Sequence, residues 1–170
     1  MAIFYFFIGP SGSGKSTIGS NLSKKLKYKF FEGDDFHSLK NINKMKKGIK
    51  LNFHDRRPWL LKINKKLKKY LSSNLKFIIA CSALKKKYRN ILKQDLENVF
   101  FIYLKCRKKD LIKRNISRNH FFPINLVNDQ INTFENSNDL LKINSNNPIS
   151  SVEKEVLKNL NKITKSIKLT

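Results

Sequence analysis

The run IFYFFI passes without a break into GPSGSGKST at the start of the chain. That junction limits the fold more than any other feature. Residues 3–8 are apolar, β-branched or aromatic throughout, as in a parallel strand buried on both faces. Ile18, Leu22 and Leu26 then recur at helical spacing among polar residues and predict an amphipathic helix. The intervening loop has almost no side chains, so its backbone is what binds. From Gly9 to Ser16 it fits G-x-x-x-x-G-K-[ST], a loop whose N–H groups close around phosphate at a helix N-terminus. The ATP-binding set is therefore Gly9, Pro10, Ser11, Gly12, Ser13, Gly14, Lys15, Ser16 and Thr17. Lys15 reaches the β- and γ-phosphates as a catalytic cation, and Ser16 places its hydroxyl on Mg²⁺. The cofactors expected are ATP and Mg²⁺.

Further along, strands and helices alternate. Strand patterns occur at 30–32, 76–83, 99–105 and, weakly, 139–144. Helix patterns follow at 38–47, 58–72 (opened by Pro58), after 84, from about 109, at 125–135 and over the last turns carrying Val152, Val156, Leu160, Ile163 and Ile167. This order predicts an α/β fold with a central parallel sheet of about five strands flanked by helices. A chain of 170 residues without repeats or linkers is expected to form one domain over 1–170. Residues 117–125 lack periodicity and are expected to be a lid loop. Ligands of such sheets lie at the carboxyl ends of the strands. There the sequence carries FEGDDFH, DRRPWL and CSALKKKYR.

Lys and Arg number 36 against 12 Asp and Glu, a net charge of +24. Such a charge suits phosphate partners, nucleic acid included. The lysines, however, are spread along the whole chain and accompany an excess of Asn and Ile. Residues encoded by A/T-rich codons account for all three, so no specific nucleic-acid partner is expected. No apolar run approaches a membrane span of roughly 18 residues, and the first apolar run feeds the phosphate loop rather than a cleavage site. A cytoplasmic enzyme with no membrane partner is expected. Cys81 and Cys106 end apolar strand runs without CxxC spacing and read as reduced, buried residues.

The stretch GDDFHSLKNINKMKKGIKLNFHDRRPWL resembles the signature of the gluconate kinases, a branch of the shikimate-kinase-like P-loop kinases. Gly33, Asp34, His37, Asn41, Lys44, Met45, Gly48, Leu51, Asp55, Arg56, Pro58, Trp59 and Leu60 follow that pattern in order. CSALKKKYR, FIYLK and HFF also look like family blocks, so the resemblance covers nearly the whole chain. Phe53 stands where the family usually has an acid and Ser38 where proline is common. The loop before His120 is one residue short. The resemblance implies the α/β three-layer P-loop kinase fold, ATP-dependent phosphorylation of D-gluconate, a small-molecule substrate, to 6-phosphogluconate, and a homodimer. A related kinase for shikimate or a nucleotide is the alternative, against which DRRPWL and a missing glycine triplet argue. A basic nucleic-acid-binding protein with a relic nucleotide site is a further one.

Residue chemistry gives the roles. Arg56 offers a planar fork to a carboxylate. Asp34 takes or orients the proton of the attacking hydroxyl, and His37 hydrogen-bonds substrate hydroxyls. Glu32, two residues before Asp34 on one strand face, holds Mg²⁺, directly or through water. Trp59 is expected to pack in the core. Arg114 and Arg118, four apart on a helix face, belong by resemblance to the lid over ATP, with Arg118 acting on the transferring phosphoryl group. Lys85 and Arg89 share a face that could meet substrate or product phosphate, and His120, in the HFF block, joins the substrate side.

Overall fold

The computed structural model describes residues 1–117 and 123–167. Five strands form one sheet: β1 (Ile3–Ile8), β2 (Lys29–Glu32), β3 (Lys76–Cys81), β4 (Val99–Lys105) and β5 (Leu140–Asn144). Their order is β2-β3-β1-β4-β5, and all neighbours are parallel. The α-helices are α1 (Lys15–Leu26), α2 (Leu39–Lys46), α3 (Phe53–Lys68), α4 (Lys86–Lys93), α5 (Lys108–Ser117), α6 (Ile124–Thr133) and α7 (Ile149–Ile167). This is the three-layer α/β arrangement expected, with β1 at the centre.

Period-two alternation divides the unbroken apolar run of β1 between two cores. Phe4, Phe6 and Ile8 pack with Trp59, Leu60 and Ile63 of α3 and Leu92 of α4. Ile3, Tyr5 and Phe7 face Ile18 and Leu22 of α1 and Val152, Val156 and Leu160 of α7. Stacked ring pairs, Phe4–Phe77 at 5.3 Å and Phe6–Phe101 at 5.2 Å, run across neighbouring strands. No helix among the described residues is long and apolar enough to cross a membrane.

Two expected boundaries move. The helix predicted from Pro58 starts at Phe53 and ends at Lys68, so Pro58 lies inside it. Its start is set by a capping box. The Asn52 side chain accepts from the Asp55 amide at 2.9 Å, and the Asp55 carboxylate accepts from the Asn52 amide at 3.1 Å. Two orphan donors satisfied reciprocally outweigh the proline signal. Asp34 is likewise not on a strand face with Glu32. The chain leaves β2 at Glu32 and turns through a 3-10 segment, Gly33–Phe36. A Cβ on Gly33 would stand 2.5 Å from the Ala80 carbonyl, so only glycine lets the chain cross the end of β3 this closely. Asp34 is thereby turned over the carboxyl edge of the sheet.

Candidate active site

The phosphate loop connects β1 to α1 as expected. Gly14 is the N-cap of α1 in a left-handed conformation, and no side chain caps the helix or adds an acid to its first turn. The first amides of α1 are left for an anion, with the helix dipole behind them. The Lys15 ammonium donates to the Pro10 carbonyl at 2.9 Å, so it lies folded along the loop it serves.

A cavity of about 580 Å³ opens beside this loop. Its lining joins Lys15 and Ser16 to Asp34, His37 and Arg56, together with Asp35, Met45, Ser82, Asn115 and Gln130. Five residues read from the sequence as a phosphate-transfer constellation thus share one chamber. Arg56 stands in the first turns of α3, half-buried. Its Nε donates to the Leu51 carbonyl at 3.2 Å, and its guanidinium lies over the Tyr88 ring at 5.7 Å. His37 stacks on Trp59 with ring centroids 4.2 Å apart, while the Trp59 indole N–H donates to the Gly33 carbonyl at 2.7 Å. Burial, with the Arg56 charge nearby, lowers the His37 pKa to about 4. The ring is neutral at pH 7, and Asn41 Nδ2 lies 3.4 Å from its Nδ1. With Nδ1 accepting, Nε2 carries the proton. Glu32 is hydrogen-bonded to Ser16, and burial raises its carboxyl above the usual range against that bond.

Much of the central sequence block turns out to be scaffold. Asn41 donates to the Asp55 carbonyl at 2.8 Å, and Lys44 pairs with the Asp55 carboxylate at 2.7 Å. Ser38 caps α2 by accepting from the Asn41 amide at 3.2 Å. These bonds fasten α2 to the start of α3 and so bring His37 and Arg56 together.

Arg114, which the resemblance assigns to the lid over ATP, stands in the last turn of α5 and reaches the phosphate loop. It donates to the carbonyls of Gly12 at 3.3 Å and Ser145 at 2.9 Å. It also lines a second cavity of about 250 Å³ with Ser13, Thr17, Asn147 and Ile149. Lys85 is the N-cap residue of α4 and stands outside the lining of the main cavity. Arg89 does not meet substrate, because its side chain is fully buried and bound to the carbonyls of Ala83, Leu84 and Glu135 and to the Ser137 hydroxyl. Arg118 and His120, with most of the expected lid loop, lie outside the described residues. Ser82, Asn115 and Gln130 were not anticipated. Single amides and hydroxyls scattered over the chain leave no local spacing to detect.

The family model for shikimate kinase matches residues 11–167. The thermosensitive gluconokinase of Escherichia coli is 36% identical over 156 residues, covering 89% of this chain and 83% of its own. Among solved structures, a gluconokinase from Sinorhizobium meliloti superposes with a TM-score of 0.86 at 30% identity, covering 98% of this chain and 96% of that one. A sugar kinase from Janibacter sp. reaches 0.89, also at 30% identity, over 95% of both chains. Identity of 36% over most of both chains, together with the shared fold, places the chain in the gluconokinase family of shikimate-kinase-like kinases.

Proposed function

We propose that this protein transfers the terminal phosphoryl group of ATP to D-gluconate, giving 6-phosphogluconate and ADP. The observation that carries the reading is the single chamber that holds Lys15, Asp34 and Arg56 between the phosphate loop and the start of α3. Gluconate has a carboxylate at one end and a primary hydroxyl at the other. It needs a fixed cation at one pole and a proton acceptor at the other, and the chamber supplies both.

ATP lays its phosphates on the loop amides and Lys15. The Arg56 fork takes the gluconate carboxylate, and His37, a neutral Nε2–H donor, orients hydroxyls between the poles. Asp34 accepts the proton of the attacking hydroxyl as its oxygen bonds to the γ-phosphorus and the bond to the ADP oxygen breaks. The residues also fit a divalent cation. A desolvated Glu32 carboxylate beside the Ser16 hydroxyl is a hard oxygen set of the kind Mg²⁺ takes; these two residues would hold the ion, which would supply charge neutralisation to the phosphates. Arg114 and the second cavity extend the nucleotide side, and Arg118 completes the neutralisation of the transferring group.

The test is ADP release measured with gluconate, glucose and shikimate as acceptors. Gluconate should be strongly preferred. Arg56→Lys should raise the KM for gluconate by roughly tenfold to a hundredfold, the loss of one charge-assisted fork. Asp34→Asn should instead depress kcat with nucleotide binding intact. Equal turnover of glucose or shikimate would refute the assignment.

A further inference from the structure

Ser11 stands at the tip of the phosphate loop, and its backbone and side-chain polar atoms are claimed by two distant side chains. Its N–H donates to Gln130 Oε1 at 2.7 Å. Its hydroxyl donates to Asn115 Oδ1 at 2.7 Å, and its carbonyl accepts from Asn115 Nδ2 at 3.0 Å. Asn115 Nδ2 also donates to the Leu111 carbonyl at 2.8 Å, which fixes the orientation of the amide. Asn115 is 6% exposed and Gln130 7%, yet both line the main cavity. The bonds to Ser11 are part-buried at the cavity wall, so an amide released there can turn to water.

The fit is close. Gly12 has φ +82°, and a Cβ on it would stand 2.6 Å from Asn115 Nδ2. The loop therefore has no side chain where α5 presses on it. Asn115 belongs to α5 and Gln130 to α6, the helices on either side of residues 118–122. From α6, Asn125 also donates to the Gly48 carbonyl at 3.0 Å, and Asp129 lies 3.6 Å from the Lys50 ammonium. One helix thus touches both the phosphate loop and the chain between α2 and α3, which leads into Arg56.

We propose that Gln130 and Asn115 are positioning residues for the phosphate loop. They hold Ser11 from α6 and α5 and preset the loop for the triphosphate. The inference rests on reading this loop as the ATP site. Unheld, the Ser11 amide and carbonyl are free to turn, and nucleotide binding must order them at its own expense. The loss falls on nucleotide affinity. Gluconate affinity and fold stability are largely spared.

The test combines kinetics with direct MgATP titration, which needs no acceptor. Gln130→Met keeps the side-chain length and removes the acceptor; it should weaken MgATP binding and raise the KM for ATP, each about tenfold. The KM for gluconate and the melting midpoint should stay near wild type. Ser11→Ala, a smaller change, should weaken MgATP about threefold to tenfold. Combined with Asn115→Leu, which removes the amide without adding charge, it should cost little more than the larger single effect, as expected for groups acting as one unit. Unchanged ATP affinity in both Gln130→Met and Ser11→Ala would overturn the proposal. So would parallel losses in ATP affinity, gluconate affinity and melting midpoint, the mark of a merely structural role. A wild type that binds MgATP but ignores gluconate would refute the proposed acceptor and leave this test standing.

Discussion

His37 is 8% exposed, and its pKa is lowered to about 4 in the folded chain, against an ordinary value near 6.5. Between those values the unfolded chain binds a proton that the folded chain refuses. Stability should therefore fall as pH drops from 6.5 towards 4, by on the order of 2–3 kcal/mol from this residue. Chemical denaturation at pH 7 and pH 4.5 checks it: His37→Phe, which keeps a ring against Trp59, should flatten the slope. At the phosphate loop, Lys15→Ala should cut turnover by at least about a hundredfold, since its charge acts on the transferring phosphate. Folding should survive, because Lys15 lies outside both apolar cores. Near-wild-type turnover would contradict the kinase reading. Lys15, Asp34, His37 and Arg56 were legible in the sequence because each sits in a short motif with fixed offsets. Asn115 and Gln130 were not, because only the fold brings them to Ser11.

Among the helices, the first turns decide what reaches the chamber. The capping box Asn52–Asp55 starts α3 and sets the place of Arg56. Asn52→Ala should cost about 1 kcal/mol and also raise the KM for gluconate, a pairing that denaturation and kinetics would reveal together. Proline misled the reading of this helix, because Pro58 lies beyond the capping box in a helix already begun. Arg89 teaches a related lesson. Its spacing from Lys85 suggested a phosphate contact, but burial turns it into a clamp between the start of α4 and the chain after α6. Arg89→Ala should destabilise by about 3 kcal/mol, since it empties a fully buried site and leaves the buried Ala83 carbonyl without this donor. A melting curve unmoved by that change would mean the clamp is dispensable.

Across the whole molecule, the large positive charge is dispersed. Basic residues occupy the last turns of α1, α2, α3, α4, α5 and α7, where helix dipoles welcome them. Duplex DNA should accordingly bind only without sequence preference and release at about 0.15–0.2 M salt, as counterion release dictates; sequence-dependent retention in a filter or anisotropy assay would overturn this. The layer order was legible because strand and helix periods alternate cleanly along the chain. The strand order was not, because sequence periodicity does not say which strands will be neighbours. That order has a further consequence for the chain as it is made. β1 is synthesised first, yet its two neighbours begin pairing only at Lys76 and Val99. At ribosomal rates of about 5–20 residues per second, both are in place only after roughly five to twenty seconds. Through that interval IFYFFI, uncharged and rich in aromatic residues, has the makings of a cross-β seed. The strand at the centre of the finished sheet is thus, while the chain is being made, a segment exposed to self-association.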